Sequence, residues 1–188
     1  MKKYLMIGLL PLAAIMPQTS LADSAKLTHE ASTIAKQFLS QLKPELKKGL
    51  TKGGPSHAIE VCHTKAPKIA FDLSQKTGWQ INRVSLKPRG AKATPDQWET
   101  KVLNQFNSWL TEGKPIKTMH YSETIEHNGQ KQFRFMKAIP TGKVCLKCHG
   151  TTLAKETKET LQKLYPDDKA TGFSLGQIRG AFSFKKEL

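Results

Sequence analysis

Acidic side chains are scarce in this 188-residue chain: 15 Asp and Glu stand against 30 Lys and Arg, a formal net charge of +15. That imbalance suggests acidic partners or an anionic membrane face. A solvated basic surface with no specific partner accounts for it equally well. No repeat and no low-complexity segment is present. Hydrophobic residues at 38% and charged residues at 24% exclude both a disordered chain and a membrane-embedded body. The length suits one compact domain. Cysteine is also scarce, and the three present are an odd number. In an oxidising compartment, free thiols need a chemical reason.

The long apolar stretch lies at the N terminus. Lys2 and Lys3 precede an uncharged run from Tyr4 to Met16, and Ser20-Leu21-Ala22 places small residues where a signal peptidase reads. The run is broken by Pro11 and Pro17 and falls short of the roughly 20 residues a spanning helix needs. No Cys follows it, so a lipoprotein anchor is not expected. The expectation is a signal peptide over 1–22, cleaved after Ala22, and a single periplasmic domain over 23–188 with no transmembrane anchor. Cleavage removes two Lys and no acid, so +15 becomes +13. Nucleic acid is a poor partner for an exported chain.

Apolar residues from Leu27 through Ala31, Ile34, Phe38, Leu42, Leu46 and Leu50 follow helical spacing. Gly53-Gly54 ends that helix, and Pro55 suits the first turn of the next. The second helix runs from Ser56 to Lys76 with Gly78 as its stop, and Pro44 and Pro67 each predict a kink or break. Trp79 to Leu86 alternates as a strand, and Lys87 to Pro95 is a basic loop. Thr94-Pro95-Asp96 opens a helix with Pro95 at its first turn, Glu99 early, and Trp98, Val102, Phe106, Trp109 and Leu110 on its apolar face. Lys117–Glu126 and Gln130–Ile139 flank Asn128-Gly129, a strong hairpin signal. Leu153 to Leu164 reads as a helix and Arg179 to Lys185 as a closing strand. Helices followed by a small antiparallel sheet make an α+β domain.

Cys145-Leu146-Lys147-Cys148-His149 is C-x-x-C-H. Two thiols three apart on one helical turn can each add to a vinyl group on the same porphyrin edge, and the next residue then offers an imidazole to the iron. The expected cofactor is therefore one covalent haem c with its iron, held by Cys145 and Cys148 and ligated by His149. A thioredoxin-type redox pair lacks the βαβ context. A zinc knuckle lacks a second ligand pair. The other axial ligand is open among Cys62, His57, His63, His120, His127, His29, Met119 and Met136. Met136 alternates with Phe133 and Phe135 and reads as core. Cys62 is the cysteine left over after haem attachment; a small buried hydrophobe or an intermolecular disulfide explains it as well.

Ala58-Ile59-Glu60-Val61-Cys62-His63-Thr64-Lys65-Ala66-Pro67 resembles the Cys-bearing helix of a family of exported single-haem c-type domains. Ser85-Leu86-Lys87-Pro88-Arg89, Thr94 to Glu99, Cys145 to Gly150, Tyr165 to Gly172 and Gly176-Gln177-Ile178-Arg179-Gly180 are similar to further blocks of that family. The resemblance implies a PAS-like fold with Cys/His axial ligation, Cys62 supplying the thiolate and His149 the imidazole. It also implies a sensory module, since such domains often stand at the sensory end of receptors and kinases. The chain departs from the family's pattern at Gly90 and Ala93, where Asn is usual.

A thiolate favours ferric iron, so a low reduction potential is expected. On reduction the thiolate can leave, opening a site for CO or NO. These expectations describe a redox or small-ligand sensor, whose partner would be a membrane signalling protein. The alternative is a periplasmic electron-transfer cytochrome c serving an acidic redox partner. An enzyme such as a peroxidase is disfavoured, because no distal His/Arg arrangement can be read from spacing. Arg83, Lys87 and Arg89 are candidates to pair with haem propionates.

Overall fold

The computed structural model describes residues 21–188, so the expected signal peptide lies outside the described residues apart from Leu21 and Ala22. Helix α1, Leu21–Thr77, is two arms joined at Gly53 and Gly54, where the backbone leaves helical geometry. Gly54 has φ 66°, a conformation glycine adopts without a Cβ penalty. The arms then fold back on each other so closely that a Cβ on Gly49 would lie 3.2 Å from the Cα of Ala58. The expected break at Gly53-Gly54 is present. Of the kink or break expected at Pro44 and Pro67, a break is absent at both: non-helical dihedrals occur only at the two glycines. Neighbouring contacts of the two arms outweigh the local cost of each proline.

Strand β1, Gln80–Val84, follows, then helix α2, Gln97–Thr111. The hairpin β2, His120–His127, and β3, Gln130–Pro140, turns at Asn128 and Gly129 with φ 53° and 77°, the paired positive values of a type I′ turn. A short helix α3, Leu146–His149, helix α4, Lys155–Leu164, and strand β4, Ile178–Glu187, complete the chain. The strands form one antiparallel sheet in the order β1-β4-β3-β2. The α+β class expected from the sequence is observed. Among the described residues, no helix is long and apolar enough to cross a membrane.

The period-two side-chain alternation of the strands gives each sheet face its own core. Phe133, Phe135, Phe182 and Phe184 pack with Trp79 under both arms of α1, against Ala31, Ile34, Phe38, Ala66, Ile69 and Leu73. Met136, Ala138 and Ala181 point the other way, onto Val102, Leu103 and Phe106 of α2.

A polar network fixes the start of α2 on that second face. Asp96 caps the helix: its Oδ1 accepts from Glu99 N at 2.8 Å, and Asp96 N donates to Glu99 Oε2 at 2.8 Å. Pro95 therefore precedes the cap instead of opening the first turn. Arg134 donates to Asp96 Oδ2 at 2.7 Å, and Ser183 Oγ donates to Glu99 Oε1 at 2.6 Å. Burial pushes the Asp96 carboxyl up, but Arg134, the Glu99 N–H and Lys185 outweigh it and hold the pKa below the ordinary 3.8. A depressed folded-state pKa means the stabilisation is whole above 3.8 and is lost as pH falls through the folded value. Losing the cap in D96A is expected to cost about 1 kcal/mol. That lowers Tm by about 2–4 °C at neutral pH, with the gap closing in acid; melts at several pH values check this.

Candidate functional site

The C-x-x-C-H turn lies beside the second arm of α1. Cys148 Sγ is 4.0 Å from the carbonyl oxygen of Pro55, and Cys62 follows two helical turns further on. Cys62 shares the inward stripe of Ala58, Ile59, Ala66 and Ile69, all buried, yet is itself half-buried. Cys145 and Cys148 are also half-buried, and all three thiols are free. His63 stands 5.0 Å from the Tyr165 ring and Arg89 lies 6.0 Å over the same ring, so the second arm of α1, the C-x-x-C-H turn and the segment after α4 converge near Cys62. Burial raises the Cys62 thiol pKa, and the positive charges of Arg83 and Arg89 oppose the rise.

His149 is held from behind. Its Nδ1 lies 2.6 Å from the carbonyl oxygen of Ala170. A carbonyl only accepts, so Nδ1 carries the proton and Nε2 keeps its lone pair. Phe173 N donates to His149 O at 2.9 Å and Gly172 N to Gly150 O at 2.9 Å, tying the two segments together. Burial, with the charges of Arg179 and Arg89 added, pushes the imidazole pKa down to about 2. The ring is neutral at physiological pH, as a metal ligand must be.

Arg179 reaches this ring from a break in the sheet. Ile139 pairs with Gly180 and Pro140 with Ile178, so Arg179 is the extra residue of a bulge, a device that re-aims a side chain. Its Nε stands 3.0 Å from Nδ1 and 3.4 Å from Nε2 of His149, and its Nη1 donates to Ser85 Oγ at 3.1 Å. With Nδ1 donating to Ala170, Arg179 sits beside the ring between the two nitrogens, off the axis of the Nε2 lone pair, which stays open. Gly180, at φ 155°, has Val84 O where a Cβ would sit, so the bulge requires glycine there.

Of the expected propionate partners, Arg89 is engaged inside the protein. Its guanidinium meets Asp168 and the carbonyls of Cys148 and Ala170. Lys87 Nζ lies 4.6 Å over the Phe173 ring. Arg83 is exposed as a whole residue, but its guanidinium lies 5.2 Å over the buried Phe38 ring, where burial lowers its pKa and the charge of Cys62 opposes the fall.

The remaining ligand candidates are dispersed. Met119 and Met136 are buried in the α2-side core, across the sheet from Cys62. His120 stacks on Phe135 at the start of β2, His127 ends that strand, and His29 is exposed on the first arm. His57 pairs with Glu60 at 3.2 Å. His63 is exposed against Tyr165, ring centroids 5.0 Å apart. Among the described residues, no three His, Cys, Asp or Glu side chains gather to hold a metal ion; two axial positions on a planar cofactor need only two. The donor set therefore fits a haem: paired thiols on one turn, an imidazole with its Nε2 lone pair set free, and a third thiol on the facing arm. Asp168, Ala170 and Arg179 were not singled out as site residues by their type. A backbone carbonyl leaves no signal in a sequence, and Arg179 owes its position to a bulge.

An antiparallel α+β domain with a C-x-x-C-H turn between two helical arms and a bulged strand is thus the class the fold and site define. The chain belongs to the Tll0287-like family, whose model matches residues 16–186. The crystal structure of the cyanobacterial heme-protein Tll0287 is similar, with 23% identity and a TM-score of 0.66. The match covers 86% of this chain and 95% of that one, and the likeness is one of fold. No curated protein matches.

Proposed function

We propose that the chain is a periplasmic mono-haem c-type protein with low-potential Cys/His-ligated iron, acting as a redox or small-ligand sensor. Its haem is bonded through Cys145 and Cys148, with His149 and Cys62 as axial ligands. The observation that carries this reading is the packing of the C-x-x-C-H turn against the Cys62-bearing arm, Cys148 Sγ 4.0 Å from Pro55 O, with Ala170 holding the His149 tautomer that leaves Nε2 open. The heme-protein Tll0287, of the same fold, supports the same cofactor. The flanking of an antiparallel sheet by helices supports a PAS-like architecture.

When bound, a haem supplies one-electron chemistry and an iron position for a diatomic ligand. The chain's own residues do the rest. His149 would present Nε2, with Arg179 beside the ring. Arg83 and Lys87, which meet aromatic rings rather than carboxylates, would take the propionates. Cys62 binds as thiolate and favours the oxidised state. With a haem held there, Cys62 would be the side chain able to take a proton from solvent and withdraw once an external donor had reduced the group. The signal then passes to a membrane signalling partner.

Carbon monoxide distinguishes the two functional readings. The reduced protein is expected to bind CO, shifting its Soret band, and its midpoint potential is expected to be negative. A positive potential with no CO binding would favour the alternative, an electron-transfer cytochrome c. One observation favours that second reading: no acidic residue stands between Glu126 and Glu156 or between Asp168 and Glu187. Exposed Val144 and Leu175 lie in those stretches beside Lys143 and Lys147, a basic surface with apolar points that suits an acidic redox protein.

A further inference from the structure

We propose that Arg89 and Asp168 are positioning residues, a clamp that holds the Ala170 carbonyl on His149 and so decides which imidazole nitrogen is presented to the iron. Both ends of Ala170 are gripped. Its N–H donates to Asp168 Oδ1 at 2.7 Å, and its carbonyl accepts from Arg89 Nη2 at 3.3 Å as well as from His149 Nδ1 at 2.6 Å. The two grips are joined, because Arg89 Nε donates to Asp168 Oδ1 at 3.2 Å and Nη2 lies 3.1 Å from Asp168 Oδ2. The same Nη2 donates to Cys148 O at 2.6 Å. One guanidinium therefore binds the attachment turn to the segment that steers its histidine.

The pair is secluded: the side chains of Arg89 and Asp168 are 14% and 8% exposed. It is shielded from the screening that weakens surface pairs. A planar guanidinium fork can serve a carboxylate and two carbonyls at once, whereas a lysine offers one point of charge. A fixed acceptor on Nδ1–H sets the tautomer and ring orientation of a metal-binding histidine and raises its basicity. If the clamp loosens, the Ala170 carbonyl is free to turn away, and both ring nitrogens compete for the proton.

The role toward iron rests on the haem reading above; the clamp itself does not. The test compares wild type, R89K and D168N, with the exposed α4 residue change K163Q as control. The first readout is solvent exchange of the His149 Nδ1 proton in 1H–15N spectra of histidine-labelled protein. The second is the ferric low-spin EPR signal of the holoprotein. R89K and D168N are expected to speed the exchange by about tenfold, the loss of an ordinary hydrogen bond, and to broaden the EPR signal; K163Q leaves both unchanged. R89K keeps the charge, so wild-type exchange in R89K would overturn the clamp and leave a purely electrostatic pair. Should R89K not fold, unchanged exchange in D168N overturns it equally. A wild-type chain without haem but with a protected Nδ1 proton would sink the haem reading and leave the clamp standing. A haem-loaded wild type whose Nδ1 proton exchanges freely would do the reverse.

Discussion

Replacing both motif thiols, C145A with C148A, is expected to abolish haem staining after denaturing electrophoresis, while either single variant retains one thioether and stains weakly. In attachment each S–H adds across a vinyl C=C. Sulfur bonds to the carbon next to the ring and the hydrogen goes to the terminal carbon, so no outside oxidant is consumed. The two thiols stand on adjoining single turns: Cys145 ends the 3-10 helix Lys143–Cys145, Cys148 lies in α3, and both are half-buried. The polypeptide loses little by the change. Cys145 Sγ accepts one bond from Gly142 N at 3.3 Å, and Cys148 Sγ makes one long contact with Pro55 O. Stability of the haem-free chain is expected to move by no more than about 0.5–1 kcal/mol, measured by urea unfolding. Full staining in the double variant would exclude these thiols as the attachment points.

Cys62→Ser is the second change with a large effect. A neutral hydroxyl is a much poorer donor than a thiolate, so the ferric state loses its main source of charge. The ferric thiolate spectrum should disappear. The balance between ferric and ferrous iron is expected to move toward ferrous by about a thousandfold, which is ~180 mV at about 59 mV per decade for one electron. Serine fills nearly the volume of cysteine, so the inward stripe of Ala58, Ile59 and Ala66 should stay packed. His63 is the neighbour able to interfere. It is exposed on Tyr165, and capture of the position by its imidazole would appear as a bis-histidine spectrum, removed in turn by C62S combined with H63A. An unchanged ferric spectrum in C62S would show that sulfur from residue 62 is not a ligand.

Much of the fold was legible because its signals are local. The glycine pair at 53 and 54 and the Asn128-Gly129 turn act within a few residues and stand where the sequence puts them, while the start of α2 moves by a residue or two, with Asp96 and not Thr94 as its cap. Pro44 and Pro67 misled for the opposite reason. The local rule against them is overridden by packing that comes from elsewhere in the chain: Ala66 and Ile69, on either side of Pro67, are buried on the sheet. At the site, spacing singles out the C-x-x-C-H turn, while the ligand role of Cys62 rests on the family resemblance. The structure adds what no spacing reveals. Arg89 was read as a propionate partner from its basic loop, but Asp168, 79 residues away, draws it inward. The acceptor for His149 is a backbone oxygen, and Arg179 arrives through a shift in register between β3 and β4. These are long-range consequences of folding, invisible in the residue types.

The central claim is that a haem is bonded to this chain through Cys145 and Cys148. Its most direct test is a pyridine haemochrome spectrum of protein matured with haem-attachment machinery, recorded after acid-acetone extraction of any loose haem. The account predicts that the haem stays with the polypeptide and gives the spectrum of a porphyrin whose two vinyl groups are both saturated. Haem that extracts into the solvent, or a pure, folded protein carrying only a Cys145–Cys148 disulfide or zinc, would contradict it.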